Sequence, residues 1–183
     1  MSLQHILLGM LREPASGYDL KQRFQQSLSH FWAAELAQIY PLLARMEKQG
    51  LLRSEKVASN KGPPRKLYHR TEAGRRSLDL WLGEGPQVRH DRLAWLAQVF
   101  FLHQLRADQR SQFFQSLRAD FVQHLSELEE VERQWRQEDP RYPDQLPDEA
   151  FYPQLTLRLG MMKYRTIIDW CDECLQRLRQ RGG

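Results

Sequence analysis

Lys61, Arg65 and Lys66 bracket a Gly62-Pro63-Pro64 turn, and no carboxylate stands between Glu55 and Glu72. Cations gathered at a hairpin tip, clear of neutralising acids, suit the phosphates of a polyanion. Lysine on an edge strand also prevents edge-to-edge aggregation, but that use mixes lysine with acids, which are missing here. Upstream, Ala34, Glu35, Gln38, Pro41, Arg45 and Gln49 share the face of a helix opposite the apolar stripe Leu36, Ile39, Leu43 and Met46. Small residues let a helix approach a groove closely, while Gln and Arg donate to base edges or phosphates. Taken alone, this helix also reads as a kinked core helix with a solvated face, Pro41 freeing the carbonyl of Ala37 in mid-helix. The charge on the hairpin turns the reading toward nucleic acid.

Other residues with chemical capacity lead less far. Cys171-Asp172-Glu173-Cys174 has C-x-x-C spacing without a second ligand pair, so packed, reduced thiols are expected and no metal. His90-Asp91 and His103 invite acid–base readings, yet the chain has no glycine-rich phosphate loop, nucleophile elbow or His-x-x-x-His pair. No enzyme and no cofactor are expected, and His90 with Asp91 reads as a helix start. Trp81, Trp95, Phe100, Trp135 and Trp170 are material either for a pocket that takes a small aromatic effector or for an aromatic-rich dimer core, the simpler use.

The elements that must hold these groups follow from periodicity. Leu3, Ile6, Leu7, Met10 and Leu11 lie on one face of a helix that stops at Pro14. Ser16 and Asp19 form a capping box for a second helix carrying Leu20 and Phe24. A third begins near Ala33 and is closed by Gly50. Two strand-like runs, Leu51–Val57 and Arg65–Arg70, flank the basic turn. Thr71 caps a fourth helix that reaches Leu82, and Gly83-Glu84-Gly85-Pro86 breaks it. Beyond lie a short helix apolar on nearly every side (Leu93, Leu96, Ala97, Phe100 and Phe101 on one stripe, Trp95, Val99 and Leu102 on another) and two long helices. The first, Ala107–Glu138, carries Phe114, Phe121, Leu128 and Trp135. The last carries Leu157, Met161, Ile168, Cys171 and Leu175. Their three-and-four spacing is that of coiled-coil seams. The segment 139–147 is a lid or a stiff connection.

The 183 residues carry a net charge of +4, and its location matters. Residues 1–80 hold 13 Lys/Arg against 7 Asp/Glu, leaving 14 against 16 for the remainder. A polyanion-binding module joined to a second, neutral-to-acidic domain is the reading. No apolar run approaches the roughly 18 residues of a membrane span, and Met1–His5 shows no start of a secretory signal, so a cytoplasmic location is expected.

Gly17-Tyr18-Asp19-Leu20, the run Gln38-Ile39-Tyr40-Pro41-Leu42-Leu43 through Glu47-Lys48-Gln49-Gly50-Leu51, Gly62-Pro63-Pro64-Arg65-Lys66-Leu67-Tyr68 and Thr71-Glu72-Ala73-Gly74 together resemble the PadR-type winged-helix transcriptional regulators. Phe31-Trp32 and the long carboxyl-terminal region resemble the branch that includes AphA-type virulence activators. The resemblance implies a third helix in the major groove with Gln38, Tyr40 and Arg45 at the DNA. It also implies wing residues Lys61, Arg65 and Lys66 at the adjacent backbone or minor groove, and Tyr18 beside a phosphate. Trp32 and Tyr68 are expected in the core. Ala37, Gln38 and Ile39 stand where many family members have Ser or Gly before Tyr-Pro, which alters the contacts at that helix start.

The expected architecture is mainly α: a winged helix-turn-helix at 1–85, with a three-helix core and a two-stranded wing, followed by an all-helical dimerisation and effector domain at 86–183. The dimer is expected through Leu93, Phe100, Phe101, Phe121, Leu128, Met161, Ile168 and Leu175. The effector pocket would use Trp81, Trp95, Trp135 and Trp170. The partners are double-stranded DNA, read as an inverted repeat by two copies, and the small aromatic effector. An adaptor that docks on protein through its basic wing is the alternative.

Overall fold

The computed structural model describes residues 2–28, 31–32, 36–59, 62–88 and 92–181. Two units divide the chain, 1–89 and 90–183. In the first, α1 (Ser2–Met10) ends earlier than Pro14, and the chain turns to enter a short strand, β1 (Ala15–Ser16). Leu7, Leu8 and Leu11 are buried while Leu3 and Met10 pack at the margin, so Leu8 joins the face assigned by periodicity.

Ser16 is the N-cap of α2 (Gly17–Ser27). Its hydroxyl accepts from the Asp19 amide at 3.2 Å, and the Asp19 carboxylate accepts from the Ser16 amide at 3.0 Å. That reciprocal pair satisfies two amides the helix start would otherwise leave open. Leu20 and Phe24 are buried, as their spacing requires.

The start of the third helix differs from expectation. Residues 33–35 lie outside the described residues; a single 3-10 turn, Leu36–Gln38, leads into α3 (Ile39–Lys48). Pro41 is therefore the third residue of α3 and does not interrupt it. Amides of a first turn lack intrahelical acceptors anyway, so the missing N–H is tolerated there. Ile39, Leu42, Leu43 and Met46 face inward. At the other end Gly50 takes a φ of +72°, its amide donating to Glu47 and the Leu51 amide to Met46, each at 3.0 Å. This double bond pattern around a left-handed residue is the Schellman turn.

β2 (Leu52–Ser59) and β3 (Gly62–Arg70) then pair antiparallel, with Ser54 opposite Tyr68, Lys56 opposite Lys66 and Val57 opposite Arg65. β1 joins the far side of β3, so the sheet has three strands in the order β1-β3-β2 rather than the two expected. Gly62-Pro63-Pro64 also differs: these residues open β3, and residues 60–61 lie outside the described residues. The prolines withhold their amides beside the register shift between Val57 and Ser59, where the ladder is already irregular.

Thr71 caps α4 (Glu72–Gly83), accepting from the Gly74 amide at 3.1 Å while its hydroxyl lies 2.7 Å from the Gly50 carbonyl, to which it donates. Trp81 of α4 stacks on His5 of α1, with centroids 5.0 Å apart.

The second unit contains α5 (Ala94–Phe101), a 3-10 turn at Leu102–Gln104, α6 (Ala107–Glu138) and α7 (Asp148–Arg181). α6 and α7 form an antiparallel hairpin, since early α6 meets late α7. Arg118 bonds Asp172 and Arg165 bonds Glu129, both at 2.7 Å. Two small cores lie along it. One gathers Leu102, Phe114 and Cys171 with Leu175 and Trp170; the other gathers Leu128, Leu157 and Met161 with Trp135 and Tyr164.

Those cores take up part of the expected dimer seam. Leu128, Met161 and Ile168 are buried within the chain, Leu175 packs into the first core, and Phe121 sits against Trp95 and Tyr164. Complementary seams on two helices of one chain satisfy each other before they meet a partner. Leu93 is half-buried at the start of α5. Of the expected seam, Phe100 and Phe101 on α5 stay outside, 78% and 56% exposed, and they are joined by Leu96 on α5 and by Tyr152, Leu155, Leu159 and Met162 on α7. Among the described residues, its own unit covers the Trp95, Val99 and Leu102 side of α5.

Candidate nucleic-acid interface

The outward face of α3 is the complement of its buried one. Gln38, Tyr40, Pro41, Ala44, Arg45 and Lys48 are exposed, whereas Ile39, Leu42, Leu43 and Met46 anchor the helix to the core. Lys48 and Ala44 belong to this face, although neither stood out in the sequence. Ala34, Glu35 and Lys61 lie outside the described residues, as do His90 and Asp91.

Two helix starts meet beside this face. A Cβ on Gly17 would stand 2.5 Å from the Tyr40 ring, so Tyr40 lies directly on the backbone that begins α2. Only glycine admits that approach. Tyr18, the next residue, is 65% exposed. The Asp19 carboxyl is held below the usual carboxylate range, first by the Ser16 hydroxyl and then by the Ser16 amide, with the Arg65 guanidinium among the charges that reinforce it. Tyr18, Tyr40 and Arg65 are thus assembled around one helix start.

Strand alternation separates the two wing cations that adjoin in sequence. Ser54, Lys56, Lys66 and Tyr68 share one face of the wing by their register, and Arg65 lies on the other. Lys66 bonds Glu47 of α3 at 2.7 Å and rides 5.1 Å from the Tyr68 ring centre, while the second Glu47 oxygen accepts from Ser54. The Glu47 carboxyl is accordingly lowered, chiefly by Lys66 and then by Ser54, and the Lys66 ammonium is raised, chiefly by Glu47. Glu47 also relieves the repulsion between Lys66 and Lys56, directly opposite it. It joins α3 to the wing.

The basic run is therefore less free than its acid-free sequence suggested. Arg70 donates to the Leu8 carbonyl at 3.1 Å, Arg75 and Arg76 pair with Glu72, and His69 bonds Glu55 at 3.0 Å with Arg53 beside it. Arg65, Lys56 and Arg45 remain exposed. The missed partner, Glu47, lies 19 residues from Lys66, and no local pattern announces it. Tyr68 is buried, and Trp32 is half-buried.

The remaining candidates fall elsewhere. Trp95 and Trp170 lie 5.8 Å apart in the second unit, Trp81 stacks on His5 in the first, and Trp135 lines a cavity at the α6–α7 turn. Cys171 is buried, and burial pushes its thiol up to about 11; Cys174 is raised by the same cause. A thiol so disfavoured as thiolate is a packing residue. His103 is exposed on its 3-10 turn. No helix among the described residues is long and apolar enough to cross a membrane.

Comparison with known proteins agrees with this geometry. Residues 6–80 match the transcriptional regulator PadR-like family, and residues 92–179 match the virulence activator alpha C-terminal region. The chain is 29% identical to a probable transcriptional regulator of Mycobacterium tuberculosis, over 99% of this chain and all of that one. The crystal structure of Bacillus subtilis PadR in complex with operator DNA superposes with a TM-score of 0.84 at 23% identity, covering 97% of this chain and 99% of that one. The same protein in complex with p-coumaric acid gives 0.76 at 24% identity, covering 97% and 95%. The Vibrio cholerae virulence activator AphA gives 0.75 at 25% identity, covering 98% and 99%. With both family regions present in order along nearly the whole chain, the protein belongs to the PadR-like transcriptional regulators, in the branch with an AphA-like carboxyl-terminal region.

Proposed function

We propose that the chain is a sequence-specific DNA-binding transcriptional regulator that acts as a homodimer on an inverted-repeat operator. The observation that carries this reading is the outward face of α3, braced to a basic wing through Glu47 and flanked by Tyr18, Tyr40 and Arg65. In this role Gln38, Tyr40, Pro41 and Arg45 enter the major groove, with Ala34 and Glu35 preceding them. Tyr18 and Arg65 meet phosphates, Lys61 extends the wing contact, and Lys66 holds the wing to α3 while offering its exposed flank to the backbone.

The division of labour follows the chain: residues 1–85 read DNA and residues 86–183 join two copies. Phe100, Phe101 and the outer stripe of α7 are apolar surfaces that a second copy would cover. Two recognition helices about 34 to 36 Å apart then read symmetric half-sites. The operator complex of Bacillus subtilis PadR supports the DNA role, and its p-coumaric acid complex supports response to a small aromatic effector. The relatives are transcriptional regulators, so neither catalysis nor a cofactor enters this reading, and the cytoplasm is its place of action.

Selection of bound fragments from random duplex tests it directly. The expected product is a two-fold symmetric sequence, bound with a Kd that rises steeply with salt. Recovery of no enriched sequence, or of one lacking symmetry, would overturn the proposal.

A further inference from the structure

At the turn between α6 and α7 lies a cavity of about 380 Å³, walled by Trp135, Tyr142, Leu146 and Pro153 and rimmed by Glu138 and Glu149. Its size is that of a small-molecule site, and its walls are the aromatic and aliphatic surfaces such sites use. The charged residues that line it are all carboxylates, the third being Asp139. Arg141 bonds that carboxylate at 2.7 and 2.9 Å and holds its carboxyl down to about 2. Arg136, 4.6 Å from the Tyr142 ring centre, is paired with Glu132 at 3.0 Å. Both nearby guanidinium groups thus already have carboxylate partners.

The walls are also held in place. Tyr142 donates to Glu132 at 3.0 Å, and the buried Gln154 donates to the Tyr142 hydroxyl at 3.5 Å. Trp135 packs into the Leu128–Leu157–Met161 core. Around the cavity, residues 138–149 hold five acids and one base, in a chain whose net charge is +4. An apolar aromatic slot inside a negative field attracts a cation with an apolar body, through the ring faces and the carboxylates together.

We infer that this cavity is a binding site for a small organic cation, an amine or quaternary ammonium group carried on an aromatic or alicyclic body. It is independent of the DNA-reading face and of Trp81, Trp95 and Trp170.

The test uses the whole protein and two probes of similar shape and opposite charge, phenethylammonium and phenylpropanoate. The readout is the Trp135 indole N–H resonance, identified by its loss in Trp135→Phe. Phenethylammonium is expected to shift it saturably with a Kd on the order of 1 mM or tighter, and phenylpropanoate to bind at least about tenfold more weakly. Glu138→Gln with Glu149→Gln, both on the exposed rim, should remove most of that preference and leave the fold intact by circular dichroism. Equal binding of both probes, no saturable shift with phenethylammonium up to about 10 mM, or an unchanged preference in the double variant would each overturn the inference. None of these outcomes bears on duplex binding, measured separately, so the two proposals fail independently.

Discussion

The two units use their apolar residues in opposite ways. In the first, Leu7, Leu8, Leu20, Ile39, Leu43 and Met46 converge on one core, and the outward face of α3 is left to polar and aromatic donors. In the second, the cores are two small clusters strung along a helix pair, and Phe100 and Phe101 point outward. A unit that closes its core on itself can work as a reading head; one that leaves large aromatics exposed offers a surface suited to a partner. Stability and association should therefore respond to different residues.

The largest effect is expected from Phe100→Asp combined with Leu159→Asp. Sedimentation should show monomer, and operator affinity should fall about 10² to 10⁴-fold as the linked second half-site is lost, with near-wild-type helicity. Unchanged association would move the interface elsewhere on the second unit. Leu43→Ala is the converse: a buried leucine of the closed core, costing about 2–5 kcal/mol in denaturant unfolding of the first unit, while the dimer persists. Arg45→Ala should leave both stability and association alone and weaken operator binding by about 1–3 kcal/mol, with relaxed preference at one base pair if it reads a base, or a shallower salt slope if it meets a phosphate. Ser16→Ala removes the α2 cap and should cost about 1 kcal/mol of stability. Because the Asp19 carboxyl is depressed in the folded state, its contribution is full above the unfolded value near 3.9 and is lost as pH falls through the lower folded value. The gap between wild type and Ser16→Ala should narrow in that acid range, which thermal melts at stepped pH would reveal.

Features written in neighbouring residues were legible from the sequence. The Ser16–Asp19 box, the Thr71 cap, the Gly50 termination and the Ala107–Glu138 span of α6 all come from patterns a few residues long or from a sustained period. Features that depend on distant partners were not. β1 is two residues long and exists only because Ala15 and Ser16 meet Tyr68 and Leu67. Pro41 looked like a mid-helix interruption because the sequence does not mark where the 3-10 turn gives way to α3. The seams of α6 and α7 were visible, but a seam does not say whether its complement lies in the same chain. At the interface, residue types were readable on α3, whereas the pairing of Lys66 with Glu47 required the wing to be folded against that helix.

The junction at Gly50 and Thr71 has a consequence for how such a protein can change. There the end of the recognition helix, the root of the wing and the cap of α4 share one set of bonds, with the Thr71 hydroxyl on the Gly50 carbonyl and the Thr71 amide on that of Leu51. A one-residue insertion between Gln49 and Leu52 would shift all three elements at once.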